Sequence, residues 1–164
     1  MAVEQWDSTD RAILDQLQRD GRIANVDLAE AVSLSPSATL RRVRALERAG
    51  LIAGYRAELD RARLGLGLTV FLELKVDGHH RETADRIERA LSAIPAIVAC
   101  HIVSGDADIL AEATVPDLAA YERLLLDEVL AIPSITGVRS AFAIRTVRSR
   151  GPLPLTQWPD RTQP

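Results

Sequence analysis

The chain has 164 residues, a formal net charge of −3 and a single cysteine. With 47% hydrophobic and 26% charged residues it reads as an ordinary globular protein, long enough for one large domain or two small ones. No apolar run reaches the roughly 18 residues that cross a membrane, the start Met-Ala-Val-Glu-Gln-Trp has no export signal, and one cysteine excludes an internal disulfide or a multi-cysteine metal site, so a cytoplasmic protein without membrane contact is expected.

Asp7 or Ser8 can cap a first helix, with Ala12, Ile13, Leu14 and Leu17 as its apolar stripe and Asp20-Gly21-Arg22 as its end. Asn25 is expected to cap a short second helix that buries Leu28, Ala29 and Val32. Ser33 and Leu34 separate it from a third helix. Ser35 caps that helix, Pro36 fits its first position and Gly50 ends it in the left-handed conformation. Helical spacing puts Leu40, Val43 and Leu46 inward. Ser37, Arg41, Arg44 and Arg48 fall opposite, with Thr39 and Arg42 beside them. From Ser35 to Arg56 five arginines face the single acid Glu47, a net charge of +4. Arginine holds guanine or phosphate in a two-pronged geometry. A hydroxyl-plus-arginine helix that closes a tri-helical unit reads as a DNA recognition helix. Ser35, Ser37, Thr39, Arg41, Arg42, Arg44 and Arg48 are its candidate DNA-binding residues. Residues 51–59 read as two short strands around Gly54, a wing from which Arg56 can reach a phosphate.

Leu68 to Val76 alternates apolar and polar residues as a long strand does. A helix follows with Ala84, Ile87, Leu91 and Ile94 inward and Pro95 beyond its end. Ile97 to Val103 is a strand, Ser104-Gly105-Asp106-Ala107 a turn, and Asp108 to Val115 the returning strand. Asp117 caps a second helix through Leu118, Tyr121, Leu125 and Val129, closed by Pro133. A last strand spans roughly Thr136 to Val147. Ala93-Ile94-Pro95-Ala96-Ile97 is echoed by Ala131-Ile132-Pro133-Ser134-Ile135 at the matching turn. A doubled strand-helix-strand marks a ferredoxin-like βαββαβ sandwich. Two helices cover one sheet face. The other, with Phe71, Leu110 and Phe142, needs a partner, most simply a second copy.

The fold class expected is therefore α+β. Residues 1–60 form a winged helix-turn-helix, 61–66 a linker and 67–147 a ferredoxin-like oligomerisation domain. The Pro-rich tail 148–164 has no period, and its Trp158 is either docked or exposed. An enzyme would have to use His79, His80, Cys100, His101, Asp106 or Asp108. Cys100 lies in an apolar run and reads as a small core residue. No His-x-x-x-His, nucleophile elbow or phosphate-binding glycine loop accompanies these groups, and no enzyme is expected.

Asp20-Gly21-Arg22-Ile23-Ala24-Asn25-Val26, Leu34-Ser35-Pro36, Gly50-Leu51-Ile52-Ala53-Gly54-Tyr55, Cys100 to Asp108 and Val115-Pro116-Asp117, in this order, resemble the Lrp/AsnC, or feast/famine, family of transcription regulators. The resemblance implies binding to double-stranded DNA. It also implies a homodimer, often built into tetramers or octamers, and a small effector, commonly an amino acid, bound between dimers. No other cofactor is expected. Carried onto this sequence, the effector site comprises Ile102, Gly105, Asp106, Asp108 and Leu118, with Ala141, Phe142 and Ala143 on the last strand. Asp106 or Asp108 would accept the ammonium, and the glycine turn would offer backbone donors to the carboxylate. The alternative function is a regulator that binds DNA without an effector, and after it a small-molecule-binding enzyme domain. The chain departs from the family where Ser33 replaces a usual glycine, and where Ala107 and Ala141 replace larger side chains.

Overall fold

A computed structural model describes residues 6–77 and 81–157. The chain divides into two compact units, one made of residues up to Glu58 with the segment from Arg148, the other of Leu59–Val147. His79, His80 and Trp158 lie outside the described residues.

The first unit holds α1 (Ser8–Arg19), α2 (Asn25–Ala31) and α3 (Pro36–Arg48). Asp7 caps α1, its carboxylate accepting the Thr9 and Asp10 backbone N–H groups at 2.9 Å each. The Asp10 carboxylate in turn accepts the Asp7 N–H at 3.0 Å, which completes a reciprocal capping box. At α2 the expected cap is corrected. Ala24 is the N-cap and no side chain caps the helix. Asn25 sits inside the first turn, and its amide donates instead to the Pro36 carbonyl at 2.9 Å, tying α2 to the start of α3. Ser35 caps α3, and Gly50 ends it at φ +74°. Ile13, Leu28 and Leu46 form the buried centre.

Ser33, in the turn between α2 and α3, adopts φ +55°. A Cβ there costs about 1–2 kcal/mol, against about 0.4–1 kcal/mol for the extra freedom glycine gives the unfolded chain. Ser33→Gly is therefore expected to stabilise the unit by roughly 0.5 kcal/mol. A urea midpoint no higher than wild type would refute this.

Residues 51–59 contain no paired strand. The expected two-strand hairpin is an extended segment instead, because two runs of about four residues around Gly54 are too short to hold an isolated hairpin. The residues after it do not run free. Within 61–66, the Leu66 N–H reaches the Arg61 carbonyl at 2.8 Å, and the Arg61 guanidinium pairs with Glu112 at 2.6 Å. This stretch, read as a linker, is a turn fastened to the sheet of its own unit.

The second unit contains β1 (Leu68–Val76), α4 (Arg81–Ser92), β2 (Ile97–Ile102), β3 (Ile109–Val115), α5 (Leu118–Arg123) and β4 (Ile135–Phe142). The strands lie in the order β2-β3-β1-β4, all antiparallel. This is the ferredoxin-like plan. Val70, Leu72 and Leu74 of β1 are fully buried with Ile87 and Leu91 of α4 and with Leu124 and Val129. The two echoed turns match in detail. Ile94 and Ile132 are both buried, and their carbonyls accept the N–H of Ile97 at 3.0 Å and of Ile135 at 3.3 Å.

Three expectations are corrected here. The helix that Asp117 caps is α-helical only to Arg123 and continues as a π turn over Leu124–Val129. That turn keeps both Leu124 and Val129 inward. The last strand stops at Phe142, not Val147, and leaves Ile144 and Val147 exposed, since Ala143 is the last residue bonded to β1, through the Thr69 carbonyl at 2.9 Å. Phe142 does not share the open face with Phe71 and Leu110. Its register opposite Val70 puts it on the helix side, edge-on to Tyr121 with ring centroids 5.1 Å apart.

Candidate functional site

The outward face of α3 is set by what the helix buries. Thr39, Val43 and Leu46 point inward, and Thr39 is fully buried, its hydroxyl donating to the Ser35 carbonyl at 3.1 Å. Thr39 is thus a packing residue and is removed from the expected DNA face. Its hydroxyl can be buried because the preceding turn offers it a carbonyl. Ser37, Arg41, Arg44 and Arg48 are exposed in one row. Ser35 is exposed too, but its Oγ is engaged as the cap, accepting the Ala38 N–H at 3.3 Å. Arg56 is exposed on the extended segment. Leu40, expected inward, is 40% exposed and joins the arginine face. With Thr39 and Val43 inward, helical spacing carries Leu40 to the edge of the Ser37–Arg44 row. By its chemistry alone a leucine at this spacing reads as core, and no local signal marks Leu40 as exposed.

Arg42 is also set apart. Its guanidinium spans Asp7 at 2.9 Å and Asp10 at 2.8 Å, the two acids of the α1 capping box. Asp10 is 3% exposed, so Arg42 neutralises a buried carboxylate and bolts α3 to the start of α1. This corrects its assignment to the DNA face. Among the described residues Arg41, Arg44, Arg48 and Arg56 have no such carboxylate partner, and their charge is free for an external anion.

Burial pushes the Asp7 carboxyl up, but the Asp10 backbone N–H and the Arg42 guanidinium outweigh it and hold Asp7 below its ordinary value. The Asp10 carboxylate, against the cost of burial and with help from Asp7, raises Arg42. A carboxyl depressed on folding adds stability above its unfolded value, about 3.9. That stability is lost as pH falls through the folded value. The first unit is expected to weaken below about pH 4. In urea melts from pH 2 to 6, Asp7→Asn should flatten that limb. An unchanged slope would refute the role of Asp7.

In the second unit the β2–β3 turn passes through Gly105 at φ +125°, a conformation that favours glycine. Asp108 just beyond it is engaged with the sheet. Its N–H donates to the Leu74 carbonyl at 3.0 Å, and its Oδ2 accepts the Val76 N–H at 2.9 Å where the β1–β4 register shifts. One carboxylate oxygen is therefore committed to structure. Ile102 and Asp108, with Val76, Ile87 and Glu88, line a concavity of about 280 Å³. Asp106 opens instead into one of about 290 Å³ with Glu73, Lys75, Val138 and Arg139.

The remaining candidates lie elsewhere. Leu118 is exposed at the start of α5. Ala141 pairs with Phe71 on the open face, Phe142 pairs with Val70, and Ala143 bonds to Thr69. Asp108 meets β1 at Leu74 and Phe142 meets it at Val70, four residues and about 13 Å along the strand. The eight candidate effector residues thus fall at two ends of the sheet and do not form one pocket in a single protomer.

Of the candidate enzyme groups, Cys100, His101, Asp106 and Asp108 lie among the described residues. Burial, and then Glu88, push the Cys100 thiol up, away from the reactive thiolate. His101 is exposed on β2. Among the described residues no group of three or more His, Cys, Asp or Glu is placed to hold a metal, and no helix is long and apolar enough to cross a membrane.

Comparison with known proteins adds to this geometry. A family model described as winged helix-turn-helix DNA-binding matches residues 7–53, and one described as Lrp/AsnC ligand binding domain matches residues 69–153. The leucine-responsive regulatory protein of Escherichia coli K12 is 40% identical over 142 residues, 87% of each chain. The crystal structure of a transcriptional regulator from Neisseria meningitidis in complex with L-Met matches with a TM-score of 0.89 at 31% identity, over 93% of this chain and 99% of that one. An AsnC family transcriptional regulator from Agrobacterium tumefaciens matches with a TM-score of 0.87 at 35% identity, over 92% and 98% of the two chains.

Proposed function

The chain belongs to the Lrp/AsnC family of DNA-binding transcription regulators, and from that premise we propose that it reads DNA through Ser37, Arg41, Arg44 and Arg48 and responds to an apolar amino acid held between copies of the chain. The observation that carries the first half is the unpaired arginine row of α3, beside an Arg42 whose charge is already spent on Asp7 and Asp10. Leu40 adds an apolar contact of the kind that suits a thymine methyl group, and Arg56 a phosphate contact from the extended segment.

The second half rests on the sheet. Phe71 is 39% exposed on the open face beside Leu110, Ala141 and the Glu73–Arg139 ion pair. That face fits a second copy in a homodimer. A ligand touching both Asp106 or Asp108 and the Leu118–Phe142 end needs residues from more than one protomer, which favours dimers built into a tetramer or octamer. Ile102, Leu118 and Phe142 favour an apolar side chain.

Gel-shift against the DNA upstream of the protein's own gene, with and without each of the twenty amino acids, tests both halves. A shift at nanomolar to micromolar protein that one apolar amino acid alters is the expected result. No preference for that DNA over random duplex would overturn the regulator reading. Specific binding with no response to any amino acid would leave an effector-independent regulator.

The dimer face has its own test. Phe71→Arg puts a charge on each side of the paired sheets and is expected to shift the protein toward monomer in light scattering. An unchanged mass would refute the sheet-face dimer.

A further inference from the structure

The chain after Arg148 returns to the first unit. There it does something the arginine face does not explain. The Gln18 side chain of α1 brackets the backbone of Leu153. Its Nε2 donates to the Leu153 carbonyl at 3.2 Å, and its Oε1 accepts the Leu153 N–H at 2.7 Å. Such pairing holds a strand by its backbone, as a neighbouring strand would. Leu153, Pro154 and Leu155 lie over an apolar concavity of about 550 Å³ whose other walls include Leu14, Leu17 and Tyr55. Upstream, the Ser149 hydroxyl donates to Glu58 at 3.2 Å. The segment is thus fastened at two places.

Tyr55 connects this concavity to α3. One edge of its ring faces Gly21, where a Cβ would stand only 3.4 Å away. Its hydroxyl donates to the Glu47 carboxylate at 3.0 Å. Burial, and then Glu47, push the phenol up, so the proton stays on the donor at neutral pH. Glu47 follows Arg44 by one turn and precedes Arg48 directly. Whatever fixes Tyr55 therefore fixes the end of the helix that carries the two arginines.

We propose that residues 153–155 are a positioning strap for the recognition helix, acting through Tyr55 and Glu47 on the set of Arg44 and Arg48. One wall of the concavity is the chain's own segment, held there by Gln18, which satisfies both backbone groups of Leu153. The strap does not touch DNA. It restricts α3 to one orientation and so adds to sequence-specific binding, where base contacts need exact aim. It adds nothing to non-specific binding, which depends on charge. The inference rests on the DNA-reading function proposed above.

The test uses the full chain. Gln18→Met with Leu155→Ser releases the strap, and Tyr55→Phe removes the link to Glu47. Dissociation constants are measured on the DNA upstream of the protein's own gene and on random duplex of equal length. Strap release is expected to weaken specific binding about tenfold, and Tyr55→Phe about fourfold, within the range by which positioning residues change coupling. Random-duplex affinity and its salt slope stay at wild type. All three substitutions together are expected to be no worse than strap release alone, because they cut one chain of contacts. Equal losses on both DNAs would show a merely structural role and overturn the proposal. So would additive losses, or none. A wild-type protein without preference for its own upstream DNA would fail the underlying reading first, and the wild-type measurement alone reveals that case.

Discussion

Arg42→Ala is expected to destabilise the first unit by about 2–3 kcal/mol, while Arg41→Ala and Arg44→Ala leave its stability within about 0.5 kcal/mol. Removing Arg42 strands the Asp10 carboxylate, which is 3% exposed, and also strips Asp7 of its partner. Losing one member of a fully buried pair costs about 3–5 kcal/mol. The Arg42 side chain is 32% exposed, so water relieves part of that. On DNA the order reverses. Arg41→Ala and Arg44→Ala each cost about 1–3 kcal/mol of binding if they read a base. Each reduces the salt slope by about one if it binds phosphate instead. Urea melts and quantitative footprints on the same three variants decide the matter. An Arg42→Ala protein as stable as wild type, or unchanged footprints for both other variants, would sink the division of labour among these arginines.

Asp108→Ala is expected to destabilise the second unit by about 1–3 kcal/mol, because the Val76 N–H loses its acceptor at the β1 irregularity. Asp108→Asn should keep most of that stability, since an amide oxygen can still accept from Val76. Only the charge is lost. If the free oxygen of Asp108 receives an effector's ammonium, Asp108→Asn abolishes the amino-acid response in gel-shift with the melt nearly intact. If Asp106 is the acceptor, Asp106→Asn does so and Asp108→Asn responds as wild type. A response that survives both substitutions would remove the acidic turn from the effector site.

Much of this architecture was legible in the residues. Ser35-Pro36 and Gly50 bound the recognition helix because capping is local chemistry. The alternation from Leu68 to Val76 named the buried face of β1, and the doubled Ile-Pro turns named the fold. Most of what escaped depends on partners distant in the chain. Arg42 looked like its neighbours until Asp7 and Asp10, more than thirty positions earlier, met it across the helix pair. Thr39 looked polar and outward, yet a carbonyl four residues back allowed its burial. Phe142 reads as an open-face residue because β4 has a poor alternation, and only its register against Val70 fixes the side. The candidate effector residues likewise rest on resemblance, which says nothing about their division between two ends of a sheet.

The strap also bears on how the chain is made. A ribosome releases α1, α2, α3 and Tyr55 early, but the segment that lies over their apolar groove comes about a hundred residues later. At about 5–20 residues per second that is a delay of roughly 5–20 s. During it, Leu14, Leu17 and Tyr55 have no cover from Leu153 or Leu155, while Arg42 already has both its acids. The nascent helices can dock on one another at once, yet they present a greasy cleft to chaperones until residues 153–155 have been made. A message truncated anywhere between the two units would yield a peptide with its helices formed and its cleft open, an immediate substrate for quality control.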